Sequence, residues 1–196
     1  MSIGRLISYG ILALILFQLV WRSSGIRVPE GSILDESLGF QVLRSQSAED
    51  GNENGHTNSN AALRDLLGKP MGSQVHLKDF AGQTLLMTFW ASWCPACQSE
   101  LASMIELARK FPKLRVIAVN LDENPLAALA KVEQQVGVLP FYHVLDPGNI
   151  TGQKLGVRVL PTNLLVSSNL KLVWATGAQN WMAESVRKKS AAELGL

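Results

Sequence analysis

A chain of 196 residues, 47% of them hydrophobic, is long enough for one globular domain and a further segment. Its 18 basic and 16 acidic side chains leave a net charge of +2, a balance with no footprint for nucleic acid, which needs a clustered basic face. Its two cysteines, three positions apart, exclude a disulfide-stapled scaffold, because a bridge closing so small a loop restrains the unfolded chain very little.

At the N-terminus, Arg5 precedes an apolar run over 6–21 that is broken only by Ser8, Gly10 and Gln18. As a helix this run rises about 24 Å, against a hydrocarbon core of about 30 Å. That is slightly short for a span and slightly long for the core of a signal peptide. Trp21 and Arg22 suit an interfacial position, and Ser23-x-Gly25 is the nearest approach to a cleavage site. A single-pass membrane anchor over 1–22 is expected, with a cleaved signal as the alternative. Arg5 faces Arg22 and Arg27 across the run, so charge does not set its orientation. Residues 23–60 read as a flexible tether: 45–60 has no apolar periodicity and cannot bury a core, and His56 within it is expected to be solvated. The segment 33–43 carries some apolar residues, and whether it docks is open.

The folded domain is expected over 61–196. A short strand at 75–77 is followed by a turn at Gly82, and TLLMTFW over 84–90 suits a central strand buried on both faces. A helix opens at Cys94-Pro95, where Leu101, Met104, Ile105 and Ala108 recur at helical spacing and make Met104 a core residue. A second strand is read over 114–121, then a helix opened by Pro125 and stopped by Gly137. A third strand covers 141–145, closed by Asp146-Pro147-Gly148, and a short helical piece 150–155. A hairpin over 162–166 and 170–174 turns at Ser168-Asn169, and an amphipathic helix over 179–194 ends the chain. The order predicts an α/β fold, a mixed sheet with helices on both faces.

The chemistry lies in Cys94-Pro95-Ala96-Cys97. A disulfide exchanger needs one accessible thiolate and a second thiol close enough to resolve the mixed disulfide. Cysteines one helical turn apart meet that geometry. Cys94 at a helix N-terminus gains from unpaired N–H groups and the helix dipole, and Pro95 has no N–H to leave unpaired. A free cysteine with a pKa of ~8.5 is about 3% thiolate at pH 7, whereas a pKa of ~7 gives about half. Cys94 is expected to attack and Cys97 to resolve. A zinc half-site is the competing reading of the motif, but it needs two more ligands, and only His76 and His143, far off in sequence, are on offer. No metal and no cofactor beyond the dithiol is expected.

Three stretches carry a family resemblance: Leu77-Lys78-Asp79-Phe80-Ala81-Gly82-Gln83, the run from Phe89-Trp90-Ala91-Ser92-Trp93 through Cys97-Gln98-Ser99-Glu100, and Leu155-Gly156-Val157-Arg158-Val159-Leu160-Pro161-Thr162. In these the chain resembles the thioredoxin-like family, in its membrane-tethered TlpA/ResA-type branch, over roughly 68–190. The resemblance implies a thioredoxin fold and makes Pro161 a cis proline facing Cys94. It implies that the Leu160 backbone pairs with the substrate chain and that Trp93, Pro95 and Thr162 join the substrate groove. It makes Glu100 an acceptor or relay for the Cys97 proton; the alternative is a solvent-facing carboxylate in the first helical turn. Three departures stand out. Thr88 replaces the buried Asp of thioredoxins proper, 167–170 lacks the usual Asp-x-x-Gly turn, and Thr162-Asn163 is expected to alter the substrate groove.

The resemblance further implies a bacterial envelope enzyme with its catalytic domain in the periplasm or outside the cell. Such an enzyme reduces protein disulfides, as in cytochrome c maturation or copper-site assembly, with electrons from a membrane thiol donor. A monomer is expected. Neutral Pro95 and Ala96 favour a reductase or exchanger over a strong oxidant. A periplasmic thiol oxidase and a non-enzymatic module binding copper(I) or a partner through its thiols are the rival readings.

Overall fold

The computed structural model describes residues 28–43, 73–184 and 186–188. The expected anchor, most of the expected tether and the end of the expected last helix lie outside them. Among the described residues no helix is long and apolar enough to cross a membrane.

Seven strands make one sheet among the described residues: β1 (Gly39–Val42), β2 (Gln74–His76), β3 (Thr84–Trp90), β4 (Leu114–Asn120), β5 (Tyr142–Leu145), β6 (Thr162–Val166) and β7 (Leu172–Thr176). Helix α1 (Pro95–Lys110) joins β3 to β4, α2 (Pro125–Val136) joins β4 to β5, and the short α3 (Ile150–Lys154) precedes β6. The spatial order is β2-β1-β5-β4-β3-β6-β7. Strands β3, β4 and β5 run parallel, from Thr84↔Leu114 to Trp90↔Asn120 and from Ile117↔Tyr142 to Asn120↔Leu145, while β6 is antiparallel to β3. This is the mixed sheet expected from the element order.

The apolar run of β3 lies at the centre because both of its faces are covered. Side chains alternate across a strand. Leu86 and Trp90 join the core beneath α1 and α2, with Leu101, Met104, Leu129, Val132 and both cysteines. Leu85, Met87 and Phe89 point the other way and pack with Phe40, Val75, Phe80, Ile117 and Leu164.

That second face corrects the expected tether where it covers residues 28–43; the rest of 23–60 and the boundary at residue 61 lie outside the described residues. Residues 28–43 are a strap that runs from the β7 edge of the sheet to the far side, where it forms β1. At the β7 side, Gly31 N–H donates to Leu172 O (2.7 Å), Leu172 N–H to Ser32 O (2.8 Å) and Leu34 N–H to Leu170 O (2.8 Å). At the far side, β1 pairs antiparallel with both β2 and β5. Leu34, Leu38, Phe40, Val42 and Leu43 are buried on the way. Each such apolar side chain stabilises by roughly 1.5–3 kcal/mol, which opposes the entropy cost of ordering the segment.

Several element boundaries also differ from expectation. Strand β2 ends one residue early because Leu77–Phe80 is a 3-10 turn, held by His76 N–H donating to Asp79 Oδ2 (3.0 Å). The hairpin's second strand begins at Leu172 and not at 170, since Leu170 adopts φ +60° and extends the turn. The expected helix over 179–194 is absent over 179–183, where the N–H groups of Gln179 and Trp181 bond to α1; helical residues begin at Glu184. Burial of Trp181 and its bonds to α1 outweigh the local helical pattern.

Candidate active site

Cys94 caps α1 in an extended conformation (φ −98°, ψ 103°), with Pro95 in the first turn. Its Sγ accepts the Cys97 N–H at 3.2 Å. A thiolate on Cys94 thus faces a donor at a helix N-terminus, the arrangement that favours a sulfur anion. The two cysteines form a disulfide with Cα atoms 5.3 Å apart. Cys94 is 6% exposed and Cys97 1%.

The loop before Cys94 is fixed from the neighbouring strand. Trp90 and Asn120 end β3 and β4 side by side, so the loops after them meet at the carboxyl ends of parallel strands, a usual place for a site in such sheets. Asp122 grips Ser92 with both oxygens, taking the N–H on Oδ2 (2.8 Å) and the hydroxyl on Oδ1 (2.9 Å). Asn120 Nδ2 donates to Asp122 Oδ2 (2.8 Å), and Gln98 Nε2 ties α1 back to Ser92 O (2.7 Å). Asp122 is absent from the residues expected from the sequence. Its signal was Asn120-Leu121-Asp122 at the carboxyl end of a parallel strand.

The peptide bond between Leu160 and Pro161 is cis. Leu160 packs against the core cluster that contains Cys94 and Cys97. Trp93 and Pro95 are exposed beside Cys94, Trp93 at 68%. Thr162 is buried, with its hydroxyl donating to Val159 O (2.7 Å); it lines a cleft of about 420 Å³ with Val159, Gly177 and the start of the strap at Val28-Pro29-Glu30.

Glu100 is 3% exposed, so it is not a solvent-facing carboxylate. Its Oε1 accepts from Asn163 Nδ2 (2.8 Å), the Gln179 N–H (2.7 Å) and Trp181 Nε1 (3.0 Å). Its Oε2 is buried and accepts no hydrogen bond. Burial raises the carboxyl to about 7 from the ordinary 4.5, against the opposing pull of the three donors. Asn163 is fully buried and donates to Glu100 and to the O of Gly177 (2.9 Å), a residue of the cleft that Thr162 lines.

His143 is a buried core residue whose Nε2 bonds Leu139 O (3.0 Å), and burial pushes its pKa down to about 4. No cluster of three or more metal-ligating side chains occurs among the described residues.

A disulfide at a helix N-terminus, at the carboxyl ends of parallel strands and with a cis proline two strands away in the chain, defines a thioredoxin-like disulfide exchanger. The AhpC/TSA family model matches residues 59–175. The thiol-disulfide oxidoreductase ResA of Bacillus cereus (strain ATCC 10987 / NRS 248) is 32% identical over 144 residues, 72% of this chain and 80% of the relative. ResA of Geobacillus thermodenitrificans is 32% identical over 120 residues, 60% of this chain and 66% of the relative. A crystal structure described as a thiol:disulfide interchange protein DsbE from Chlorobium tepidum superposes with a TM-score of 0.60 at 24% identity, covering 84% of this chain and 99% of that one, and bears on the fold alone. The chain belongs to the AhpC/TSA thioredoxin-like family, as a thiol–disulfide oxidoreductase of the ResA type.

Proposed function

We propose that this enzyme is held on the outer face of the bacterial cytoplasmic membrane by residues 1–22 and reduces disulfides of specific envelope proteins, those of cytochrome c maturation among them. It works as a monomer and needs no cofactor beyond its dithiol. The observation that carries the redox reading is the Cys94 sulfur at the N-cap of α1, facing the Cys97 N–H, with Cys97 buried one turn on. The apolar run over 6–21 supports the tether.

In the reduced enzyme, the Cys94 thiolate attacks one sulfur of the substrate disulfide. The substrate S–S bond breaks, one substrate thiolate leaves, and a mixed disulfide forms. Cys97 then gives its proton to the Glu100 carboxylate and attacks Cys94 Sγ. This releases the second substrate thiolate and closes the Cys94–Cys97 disulfide. The substrate has gained two electrons and the enzyme has lost two. A membrane thiol donor restores the dithiol by the reverse exchange. Exposed Trp93 and Pro95, with the Leu160 backbone and Thr162 by the cis proline, form the ground on which the substrate chain lies.

The equilibrium potential of the pair tests the direction, measured by thiol trapping in glutathione and dithiothreitol buffers on a form beginning just before the strap, at Arg27. A value near or below about −220 mV is expected for a reductase fed from the membrane. A value near about −120 mV would overturn it in favour of an oxidase.

A further inference from the structure

The environment of Glu100 is asymmetric. Three donors from two separate parts of the chain converge on Oε1, while Oε2 is equally buried and accepts none. Donors on one oxygen fix the plane of the carboxylate and lower the basicity of that oxygen, so a proton arriving at the group goes to the other. Oε2 is that other oxygen, and Glu100 lies one turn beyond Cys97 on α1, at the i,i+3 spacing that brings side chains together.

Asn163 is the only donor among the three placed by the sheet. Across the β3–β6 pairing it stands opposite Thr88, the position at which thioredoxins proper carry their buried Asp. Thr88 and Asn163 are both buried and uncharged, so the acid that serves this site comes from the helix and the sheet supplies its holder. We propose that Asn163 is a positioning residue which, with Trp181 and the Gln179 backbone, occupies Glu100 Oε1 and leaves Oε2 as the atom that exchanges a proton with Cys97. This rests on the reading of Glu100 as the proton acceptor.

The groups bonded to the Glu100 carboxylate are Asn163 on β6, and Gln179 and Trp181 on the C-terminal segment, and none of them is ionisable; Cys97 lies one turn back on the same helix. Glu106, farther along α1, lines the groove outside with Ser99, Ser103 and Gln179. Removing a donor from the charged carboxylate destabilises its ionised form, so its titration midpoint rises.

The test uses the full chain, with the Glu100 carboxyl carbon followed by ¹³C NMR and assigned by E100Q. In parallel, the pH profile of the second step is recorded as release of a chromogenic aromatic thiol from Cys94 by Cys97. Asn163→Leu is expected to raise the Glu100 midpoint by about one pH unit, the size of one lost hydrogen bond to a charged acceptor, and to move the limb of the rate profile with it. Trp181→Phe keeps the bulk of the ring, loses the N–H, and shifts both readouts the same way, which covers the case of N163L failing to fold. Asn163→Asp, the same size but acidic, raises the midpoint further. A limb lost in E100Q but a midpoint and limb unmoved in folded N163L and W181F overturns the positioning role alone. A limb that persists in E100Q overturns the acceptor reading of Glu100, and this proton step with it. A merely structural Asn163 would lower stability and leave the midpoint in place.

Discussion

Two buried carboxylates, one at the end of β5 and one in the first turns of α1, are treated in opposite ways by this fold. Asp146 is 3% exposed and accepts one backbone N–H on each oxygen, Thr151 on Oδ1 (3.0 Å) and Gly152 on Oδ2 (2.7 Å). Glu100 is as deeply buried, yet its three donors crowd one oxygen and leave the other bare. A carboxylate with both oxygens bonded is a structural tie, here between the end of β5 and the first turn of α3. One with a buried, empty oxygen costs the fold free energy, a cost that makes sense where the oxygen has chemistry to do.

The sharpest test of that contrast is kinetic. Glu100→Gln is expected to slow the attack of Cys97 on the mixed disulfide by about 10²-fold or more, the usual size of a general acid–base contribution, and to remove the pH limb near 7. Asp146→Asn should leave the same step unchanged in the folded enzyme. Stopped-flow release of the aromatic thiol across pH 5–9 measures both. Equal rates in E100Q and the parent would reduce Glu100 to a second structural carboxylate.

Stability should separate the pair next. The Glu100 carboxyl titrates at about 7 in the fold and at the ordinary 4.5 in the unfolded chain. Between those values the folded state holds more protons than the unfolded one, so stability falls as pH rises from 4.5 to about 7 and levels off above. The full drop is on the order of 3 kcal/mol. His143 acts in the opposite sense, since its lowered pKa adds stability as pH rises from about 4 to 6.5. Denaturant titrations of E100Q and the parent at pH 4.5, 6 and 8 cancel the shared His143 contribution. The E100Q advantage should grow with pH, and a constant difference would contradict the bare-oxygen reading.

The frame of the molecule was legible in local sequence, and the contrast between the carboxylates was not. The unbroken TLLMTFW run marked the central strand, and Pro95 and Pro125 marked two helix starts. The Cys94/Cys97 spacing marked the redox pair, and the family resemblance pointed to Pro161. Docking of the strap stayed open because GFQV is too short to signal a strand, and its pairings with β5 and the β7 side reach about a hundred or more residues along the chain, as in Val42↔Val144 and Ile33↔Lys171. The Glu100 setting was invisible for the same reason. Its donors come from 63, 79 and 81 residues downstream, and Asn163 reads locally as one more strand residue next to a proline loop. The same bonds explain the failed helix over 179–183, where a periodic pattern was overridden by the burial of one tryptophan.

The smallest expected effect comes from the other side of the comparison. Asp146→Ala removes both acceptors and leaves the N–H groups of Thr151 and Gly152 buried, and each unpaired group costs about 1–3 kcal/mol. Local relaxation of the five-residue α3 recovers part of that, so a loss of about 2 kcal/mol at pH 7 is expected, read as a lower denaturant midpoint at an unchanged slope. The loss should reach the active site only weakly. Segment 146–155 leads to the cis proline through Val157, whose N–H donates to Gly152 O (2.7 Å), but the Cys94–Cys97 turn is fixed from Asp122 on a different loop. A D146A enzyme that is destabilised yet exchanges disulfides at the parental rate and with the parental pH limb would separate the satisfied carboxylate from the reactive one. A shifted limb would show that the two buried acids share one network after all.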